Sequence, residues 1–207
     1  NRPMRKILWF ALVLAAAPAA LAAGERTFVL ATAGDVEAGL AEKVRSYLED
    51  NAEVAVRLVA PVPLQPGQDL EALGRAAAKV LVDDSDFAVI VLAQPAGDQP
   101  LDVCNPKERY AVLNLARLQS GPAAAGVERR AGQMGLRLMS RLLDLAPCPF
   151  PLCVLVGFER VDELDGMSGN FCPPCLDRFT RRARKAGLAF AGAAAEEPAP
   201  PEFPATE

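Results

Sequence analysis

The 207-residue sequence contains no histidine, and this absence removes most kinds of metal-dependent and nucleophilic catalysis. Zinc hydrolases commonly hold their metal with two or three imidazoles, and hydrolases of the serine or cysteine triad type use an imidazole as their base. Neither arrangement can be built from this chain. The sequence therefore argues against the common hydrolase mechanisms before any motif is considered.

The chain also has fewer positive than negative side chains, with 22 Lys and Arg and 26 Asp and Glu, so its formal net charge is −4. Nucleic-acid-binding proteins need an excess of cationic groups to neutralise phosphates, so an acidic chain is a poor candidate for that partner. Apolar residues make up 51% of the chain, which is enough to bury a core in one domain. We expect no nucleic-acid partner.

Long hydrophobic runs are lacking except near the start of the sequence. Residues 4–23 combine a short basic start, an apolar stretch and a small-residue site at residues 20–22, which together predict a cleaved secretory signal. The stretch is short and alanine-rich for a membrane span, which needs about 20 apolar residues. We predict a signal peptide over residues 1–23, a domain over 24–192, and a disordered, acidic, Pro-rich tail over 193–207. The protein is then exported, periplasmic or secreted, with no stable membrane span after signal cleavage.

The first half of the domain has the alternating pattern of an α/β fold. The short apolar run at Thr27–Ala31 predicts a strand, and Asp35 is placed to cap a helix over residues 36–51. A second strand is expected over residues 54–62, and Asp69 is placed to cap a second helix. The continuous apolar run at Phe87–Ala93 is typical of a buried central strand.

The second half contains a loop, a strand, a long helix and a cysteine-rich segment. Residues 94–109 are rich in Pro, Gly and Asp and predict a loop, and Tyr110–Leu118 predicts a hairpin or edge strand. Apolar residues repeat at helical spacing over residues 124–146. A last helix, over residues 176–186, is strongly basic on its outer side.

Four of the five cysteines form two close pairs, Cys148 with Cys153 and Cys172 with Cys175, separated by eighteen residues. Two such pairs suit a tetrahedral four-thiolate zinc site, because each pair makes a short knuckle. Two disulfides are the alternative that an oxidising compartment favours. A thioredoxin-like redox pair at Cys172 and Cys175 is a further alternative, although no strand precedes it. Cys104 is interpreted as a spare thiol that an exported protein can pair or modify.

With these cysteines in view, the segment from about Phe87 to Phe179 resembles the archaemetzincins, a small family of metzincin-type zinc peptidases. The matching pieces are YAVLNLARL before the long helix, CPFPLC, Asp165 and FCPPCLDRF. The resemblance implies a metzincin-like mixed sheet, a long helix of the active-site type and a small four-cysteine zinc-knot subdomain over residues 148–175. It also implies one structural zinc ion held by Cys148, Cys153, Cys172 and Cys175.

The family's catalytic motif, HExxHxxGxxHC, is lost from this chain. Counting back from Cys148, the three histidine positions hold Arg137, Arg141 and Pro147. The position of the general-base glutamate holds Leu138, and the position of the turn glycine holds Asp144. The methionine that usually follows the second cysteine is replaced by Val154 or Leu155. Two arginines repel a cation, and a leucine cannot take a proton from water, so we expect a degenerate catalytic centre.

Two interpretations of the arginines on the long helix stay open. Arg130, Arg137 and Arg141 are either a solvated helix face, with Asp144 pairing to Arg141, or the floor of a cleft that binds a carboxylate. In the second interpretation, Tyr110–Leu118 receives an extended peptide as an added strand. The sequence therefore predicts a non-catalytic module that binds a peptide or protein. The rivals are a peptidase with non-standard ligands, such as Asp144, Glu163 or Asp165, and a thiol oxidoreductase using Cys172 and Cys175.

Overall fold

The computed structural model describes residues 26–119 and 126–191, and these residues build one mixed sheet covered by helices on both faces. The signal peptide and the tail that the sequence predicts lie outside the described residues. Among the described residues the strands are β1 (Thr27–Gly34), β2 (Val56–Leu58), β3 (Asp86–Gln94), β4 (Asp102–Asn105) and β5 (Tyr110–Asn114). The helices are α1 (Leu40–Ala52), α2 (Leu70–Leu81), α3 (Leu115–Leu118), α4 (Val127–Leu142) and α5 (Pro173–Lys185), with a 3-10 helix at Val161–Gly166.

The strand order in the sheet is β2-β1-β3-β5-β4. The first four strands in this order are parallel, and β4 runs antiparallel to β5. β3 lies at the centre, as its unbroken apolar sequence predicted. A strand that is covered on both faces has apolar side chains on both, so its sequence lacks the alternation of polar and apolar residues. The fold is therefore a mixed α/β sheet with one antiparallel edge strand.

Two apolar cores lie on opposite faces of the sheet. On one face, α2 covers the alternate side chains of β1, β3 and β5, including Val29, Val91 and Val112. On the other face, α1 and α4 pack over Phe28, Ile90 and their neighbours, α5 joins the same core beside α1, and the four cysteines belong to it. The cysteine-rich segment is therefore part of the α1, α4 and α5 layer and does not stand apart from the sheet. No helix in the described part of the chain has both the length and the hydrophobicity to cross a bilayer.

Of the two predicted helix caps, one is confirmed and the other is wrong. Asp69 caps α2, and its side chain accepts a hydrogen bond of 2.6 Å from the amide of Ala72. The prediction for Asp35 is wrong, because α1 begins at Leu40, after Gly39 in the left-handed region with a φ of 85°. The turn over residues 35–39 thus separates β1 from α1.

The segment between β3 and α4 differs most from the prediction. The predicted loop over residues 94–109 contains β4, a four-residue edge strand of mixed polarity. The predicted strand Tyr110–Leu118 ends at Asn114, whose side chain accepts a hydrogen bond from the amide of Ala116 and so caps α3. β5 pairs with the preceding strand β4 as an antiparallel hairpin, so the hairpin alternative is confirmed. The edge alternative is wrong, because β5 is an internal strand and β4 forms the edge.

Candidate metal centre

The four cysteines of the two pairs meet in one buried cluster, although they come from three different segments. Cys148 follows the end of α4, Cys153 lies in the turn after it, and Cys172 and Cys175 begin α5. Cys172 is the N-cap of α5, and the two prolines that follow it occupy the first helical positions, where a missing amide hydrogen carries no penalty. The cluster is therefore formed by a turn after α4, by the first turn of α5, and by a long-range contact between these two segments.

The geometry of the cluster fits a tetrahedral zinc site. All four Sγ atoms lie within 4.8 Å of one another, and Cys148 Sγ lies 3.8 Å from Cys172 Sγ. A tetrahedral ion with Zn–S bonds of about 2.3 Å separates its sulfurs by about 3.8 Å. All four residues are free thiols in the structure, and each is less than 10% exposed. The donor set is thus one that zinc prefers, in a geometry that a disulfide does not have.

Hydrogen-bond donors surround the sulfurs of this cluster. The amides of Phe150 and Cys172 point at the sulfurs of Cys148 and Cys153, over 3.4 and 3.5 Å. The Arg178 guanidinium lies one helical turn beyond Cys175 and contacts its Sγ at 2.9 Å. Such donors offset the negative charge of a thiolate cluster and orient its ligands. Arg178 was missed in the sequence, although its spacing of three residues from Cys175 places both on one face of α5.

Burial sets the protonation of the thiols. Burial raises the pKa of Cys175 to about 12, against the opposing effect of Arg178, and it also raises the pKa of Cys153. Burial likewise disfavours the Cys172 thiolate, but hydrogen bonds from the backbone and side chain of Cys175 and from the other thiols outweigh it and lower that pKa. A metal ion that binds here therefore displaces protons from the cluster.

α4 ends immediately before the cluster in a left-handed turn. Asp144 has a φ of 58°, its amide donates to the carbonyl of Arg141, and the amide of Leu145 donates to the carbonyl of Ser140. This pair of bonds is the Schellman motif, in which glycine is the usual left-handed residue. Asp144 is the residue that the resemblance aligns with the turn glycine. The left-handed turn thus forms with an aspartate in the position that glycine usually takes.

Arg137, at the first histidine position of the resemblance, is used for internal contacts. Its guanidinium donates to the carbonyls of Val154 and Val156, at 2.5 and 2.7 Å, and lies 4.7 Å from the centroid of the Phe158 ring. Burial lowers the pKa of Arg137, although a guanidinium remains charged at neutral pH. The side chain therefore ties α4 to the turn that carries Cys153. The adjacent Leu138, at the position of the general base, is fully buried.

Arg141, at the second histidine position, forms an ion pair with the edge strand. It donates to both carboxylate oxygens of Asp102 on β4, at 2.8 and 2.6 Å. The predicted pair of Arg141 with Asp144 is wrong, because the left-handed turn directs Asp144 away, to 4.0 Å from Arg182. Pro147, at the third histidine position, is exposed.

The space between these residues is small. A cavity of about 60 Å³ is lined by both helix arginines, Pro147 and four neighbours. A space of this size holds a few water molecules. The pocket between the two arginines is therefore small, and the carboxylate-binding interpretation stays a prediction.

Arg130 is not on a solvated face, and that part of the prediction is wrong. It is 1% exposed, it forms a two-pronged ion pair with Asp165 at 2.8 and 2.5 Å, and it donates to the carbonyl of Leu118. One turn further along α4, the amide of Gln133 donates to the carbonyl of Leu164. These two side chains hold the 3-10 helix against α4. Asp165 is thereby a structural partner of Arg130.

The carboxylates proposed for a non-standard peptidase do not converge. Asp165 pairs with Arg130, Glu163 accepts from the backbone amide of Arg160, and Asp144 lies at the exposed end of α4. Within the described residues, the four cysteines are the one group of three or more Cys, Asp or Glu side chains placed to share a metal. Cys104 lies apart on β4, where burial raises its pKa to about 11.

Comparison with known proteins gives a clear match in fold and none in sequence. No protein-family model matches the chain, and no curated protein matches it. Among solved structures, a zinc-dependent peptidase from Methanocorpusculum labreanum matches with a TM-score of 0.60 and 18% identity, over 73% of this chain and 99% of that one. Archaemetzincin from Methanopyrus kandleri matches with a TM-score of 0.61 and 18% identity, over 77% and 96%. Archaemetzincin from Archaeoglobus fulgidus, solved with malonate, gives 0.53 and 13%, over 73% and 99%.

These likenesses show an archaemetzincin-like fold, and the prediction of that fold from the sequence is confirmed. The mixed sheet, the long helix α4 and the cysteine cluster in the C-terminal region occur in the expected order. At 18% identity or less, the similar structures show the fold alone. The chemistry of the site has to be inferred from the residues of this chain.

Proposed function

We propose that this protein is an exported, non-catalytic relative of the archaemetzincins that holds one structural zinc ion and works by binding a peptide or protein. The observation that carries the proposal is the contrast between two neighbouring sites. The four thiols beside α4 converge with metal-binding geometry, whereas two of the three positions that would hold a catalytic metal are filled by arginines engaged in contacts within the protein, and the third is Pro147.

The proposal of zinc rests on the donor set and on the similar structures. Four thiolates at tetrahedral spacing select zinc among the common divalent ions, and one of the similar structures is a zinc-dependent peptidase. A zinc ion bound by Cys148, Cys153, Cys172 and Cys175 would have no open coordination position. It would supply folding free energy and no Lewis-acid chemistry.

The absence of catalysis is proposed from the residues at the end of α4. A peptidase of the metzincin kind needs imidazole ligands and a carboxylate base, and these positions hold Arg137, Leu138, Arg141 and Pro147. The guanidinium groups carry permanent positive charge beside the cavity. The rival of a thiol oxidoreductase is disfavoured, since Cys172 is 5% exposed and Cys175 is fully buried, whereas a reactive thiolate needs access.

A binding role follows from the loss of chemistry in a fold that presents an edge strand. β4 is the edge of the described sheet beside α4, so an extended peptide that adds to it would pair with its free main-chain groups. The proposal of export rests on the signal-like residues 4–23 alone.

The deciding measurement is metal content and free thiols on one sample, purified from the compartment in which the protein accumulates. Elemental analysis and native mass spectrometry should give one zinc ion per chain, and a broad set of peptide substrates should remain uncut. The Cys104→Ser variant is the matched control, because it removes a thiol outside the cluster and should keep the zinc. Four oxidised cysteines without zinc would refute the metal centre, and a second bound metal together with peptidase turnover would refute the non-catalytic assignment.

A further inference from the structure

A strongly basic surface of the described chain lies on α5, beside the cysteine cluster. Arg178, Arg181, Arg182 and Lys185 have the spacing i, i+3, i+4 and i+7, which places all four side chains on one face of the helix. Together with Asp144, Leu145 and Ala146 they line a groove of about 440 Å³. At 1.5 Å per residue, the four cations extend over about 10 Å. We call this face the basic stripe.

The basic stripe carries more positive charge than its described neighbours balance. Arg181 forms an ion pair with Asp177 at 2.7 Å, and Arg182 lies 4.0 Å from Asp144. Arg178 is directed at the sulfur of Cys175, and Lys185 pairs with no carboxylate among the described residues. Two carboxylates therefore face four cations in a chain whose formal net charge is −4. An extended row of such cations suits an extended row of carboxylates better than one compact anion.

The sequence itself contains a segment of matching charge. Residues 192–207 include Glu196, Glu197, Glu202 and Glu207 and no Lys or Arg. The segment begins beside α5, because the ring of Phe190 lies 5.5 Å from the Arg184 guanidinium in the last turn of that helix. Sixteen residues at about 3.3 Å each can extend roughly 50 Å, several times the length of the basic stripe. The segment can therefore reach every cation of the stripe.

The acidic segment has an advantage over other acidic ligands, because it is covalently connected to α5. A tethered ligand with a short linker acts at an effective concentration in the millimolar range, so it outcompetes a free acidic peptide that makes the same contacts. Charge attraction of this kind is also strongest at low ionic strength. We propose that residues 192–207 bind the basic stripe of the same chain through their glutamates.

The test uses the full chain and a fluorescent hexaglutamate peptide as the probe, with binding followed by fluorescence anisotropy at low salt. In the variant Glu196→Gln, Glu197→Gln, Glu202→Gln, Glu207→Gln, the stripe is released, and the probe should bind about tenfold more tightly than to the unaltered chain. The gain should disappear at 1 M salt, where the Debye length is about 3 Å. It should also disappear when Arg181→Gln, Arg182→Gln and Lys185→Gln are added.

A matched control separates docking from the overall change in charge. The variant Glu37→Gln, Glu71→Gln, Asp84→Asn, Glu108→Gln removes the same four charges from exposed positions on other parts of the described surface. It should bind the probe like the unaltered chain. Equal probe affinity for the unaltered and the tail-neutralised chains would overturn the proposal. So would a dimer, seen by sedimentation, that the tail substitutions dissociate, because the stripe would then be occupied by a second copy.

Discussion

Replacing an imidazole with a guanidinium changes the role of a helix face as well as its ligands. A neutral histidine offers a lone pair to a metal, whereas an arginine has only donors and seeks carbonyl and carboxylate oxygens. Arg137 and Arg141 meet these needs at Val154, Val156 and Asp102, so the face that would hold a metal is cross-linked to the cysteine turn and to β4. Arginines at the positions that the resemblance assigns to histidines therefore stabilise the surrounding loops.

The cysteine ligands give the most direct prediction at the residue scale. Cys153→Ser is expected to abolish stoichiometric zinc binding and to lower the free energy of unfolding by several kcal/mol. The physical reason is that the binding free energy of a structural zinc, about 10–16 kcal/mol in zinc-finger peptides, is folding free energy. Elemental analysis and urea unfolding measure the two effects, and Cys104→Ser should change neither zinc content nor cooperativity. A Cys153→Ser protein with full zinc content would show that this residue is not a ligand.

Arg130 and Asp165 give a prediction about acid stability. The hydrogen bond from Arg130 lowers the pKa of the Asp165 carboxyl below its usual range. Because the carboxyl has a lower pKa folded than unfolded, its contribution to stability is complete above the unfolded value, near 3.9, and is lost as the pH falls through the folded value. The unaltered protein should therefore lose stability between pH 5 and strongly acidic pH more steeply than Asp165→Asn. Urea unfolding at a series of pH values tests this, and parallel curves for the two proteins would contradict it.

At the scale of the elements, the end of α4 is a left-handed turn in which Asp144 occupies the position where glycine is preferred. A left-handed conformation costs a non-glycine residue about 1 kcal/mol, and asparagine and aspartate tolerate it better than alanine. Asp144→Gly should accordingly raise the free energy of unfolding by about 0.5–1 kcal/mol, and Asp144→Ala should lower it by a similar amount. Thermal unfolding of the two variants measures the difference. Stabilisation by alanine would mean that the left-handed turn does not persist in solution.

The elements that could be predicted from the sequence are those specified by neighbouring residues. Asp69 caps α2 because its own side chain reaches an amide three residues ahead, and β3 is central because its apolar run is continuous. β4 was missed because polar residues stand at both of its ends, and its strand character comes from pairing with β5. Asn114 ended the predicted strand early, and this polar residue within an apolar run was the available signal.

The candidate site divides in the same way. The spacing of the cysteines predicted both close pairs, because each knuckle is local, and the structure brings the pairs together. The roles of the arginines were not predictable, because Arg130 and Asp165 are 35 residues apart and Arg141 and Asp102 are 39 apart. From sequence alone, a charged residue on a helix is predicted to be exposed to solvent, because a buried partner cannot be identified. Contacts of this kind require the tertiary fold.

At the scale of the whole molecule, the sheet and the cysteine-rich segment rely on different sources of stability. The sheet buries apolar side chains on both faces, under α2 on one side and under α1 and α4 on the other. The segment after α4 has few regular elements before α5, and its turns are held by the cysteine cluster and by hydrogen bonds from the side chains of Arg130, Gln133 and Arg137. Loss of the metal should therefore act locally before it acts globally.

Chelation followed by hydrogen exchange tests this division. When zinc is removed with an excess of a strong chelator under reducing conditions, amides of residues 148–185 should exchange faster, because the four thiolates that join the turns to α5 lose their common ion. Amides of β1, β3 and β5 should keep most of their protection, since their hydrogen bonds lie between two apolar layers. Adding zinc back should restore protection in the cysteine-rich segment, and magnesium, which prefers oxygen ligands, should not. A simultaneous loss of protection across the sheet would instead make the zinc ion a requirement for the whole fold, and unchanged exchange everywhere would mean that the cluster holds together without a metal.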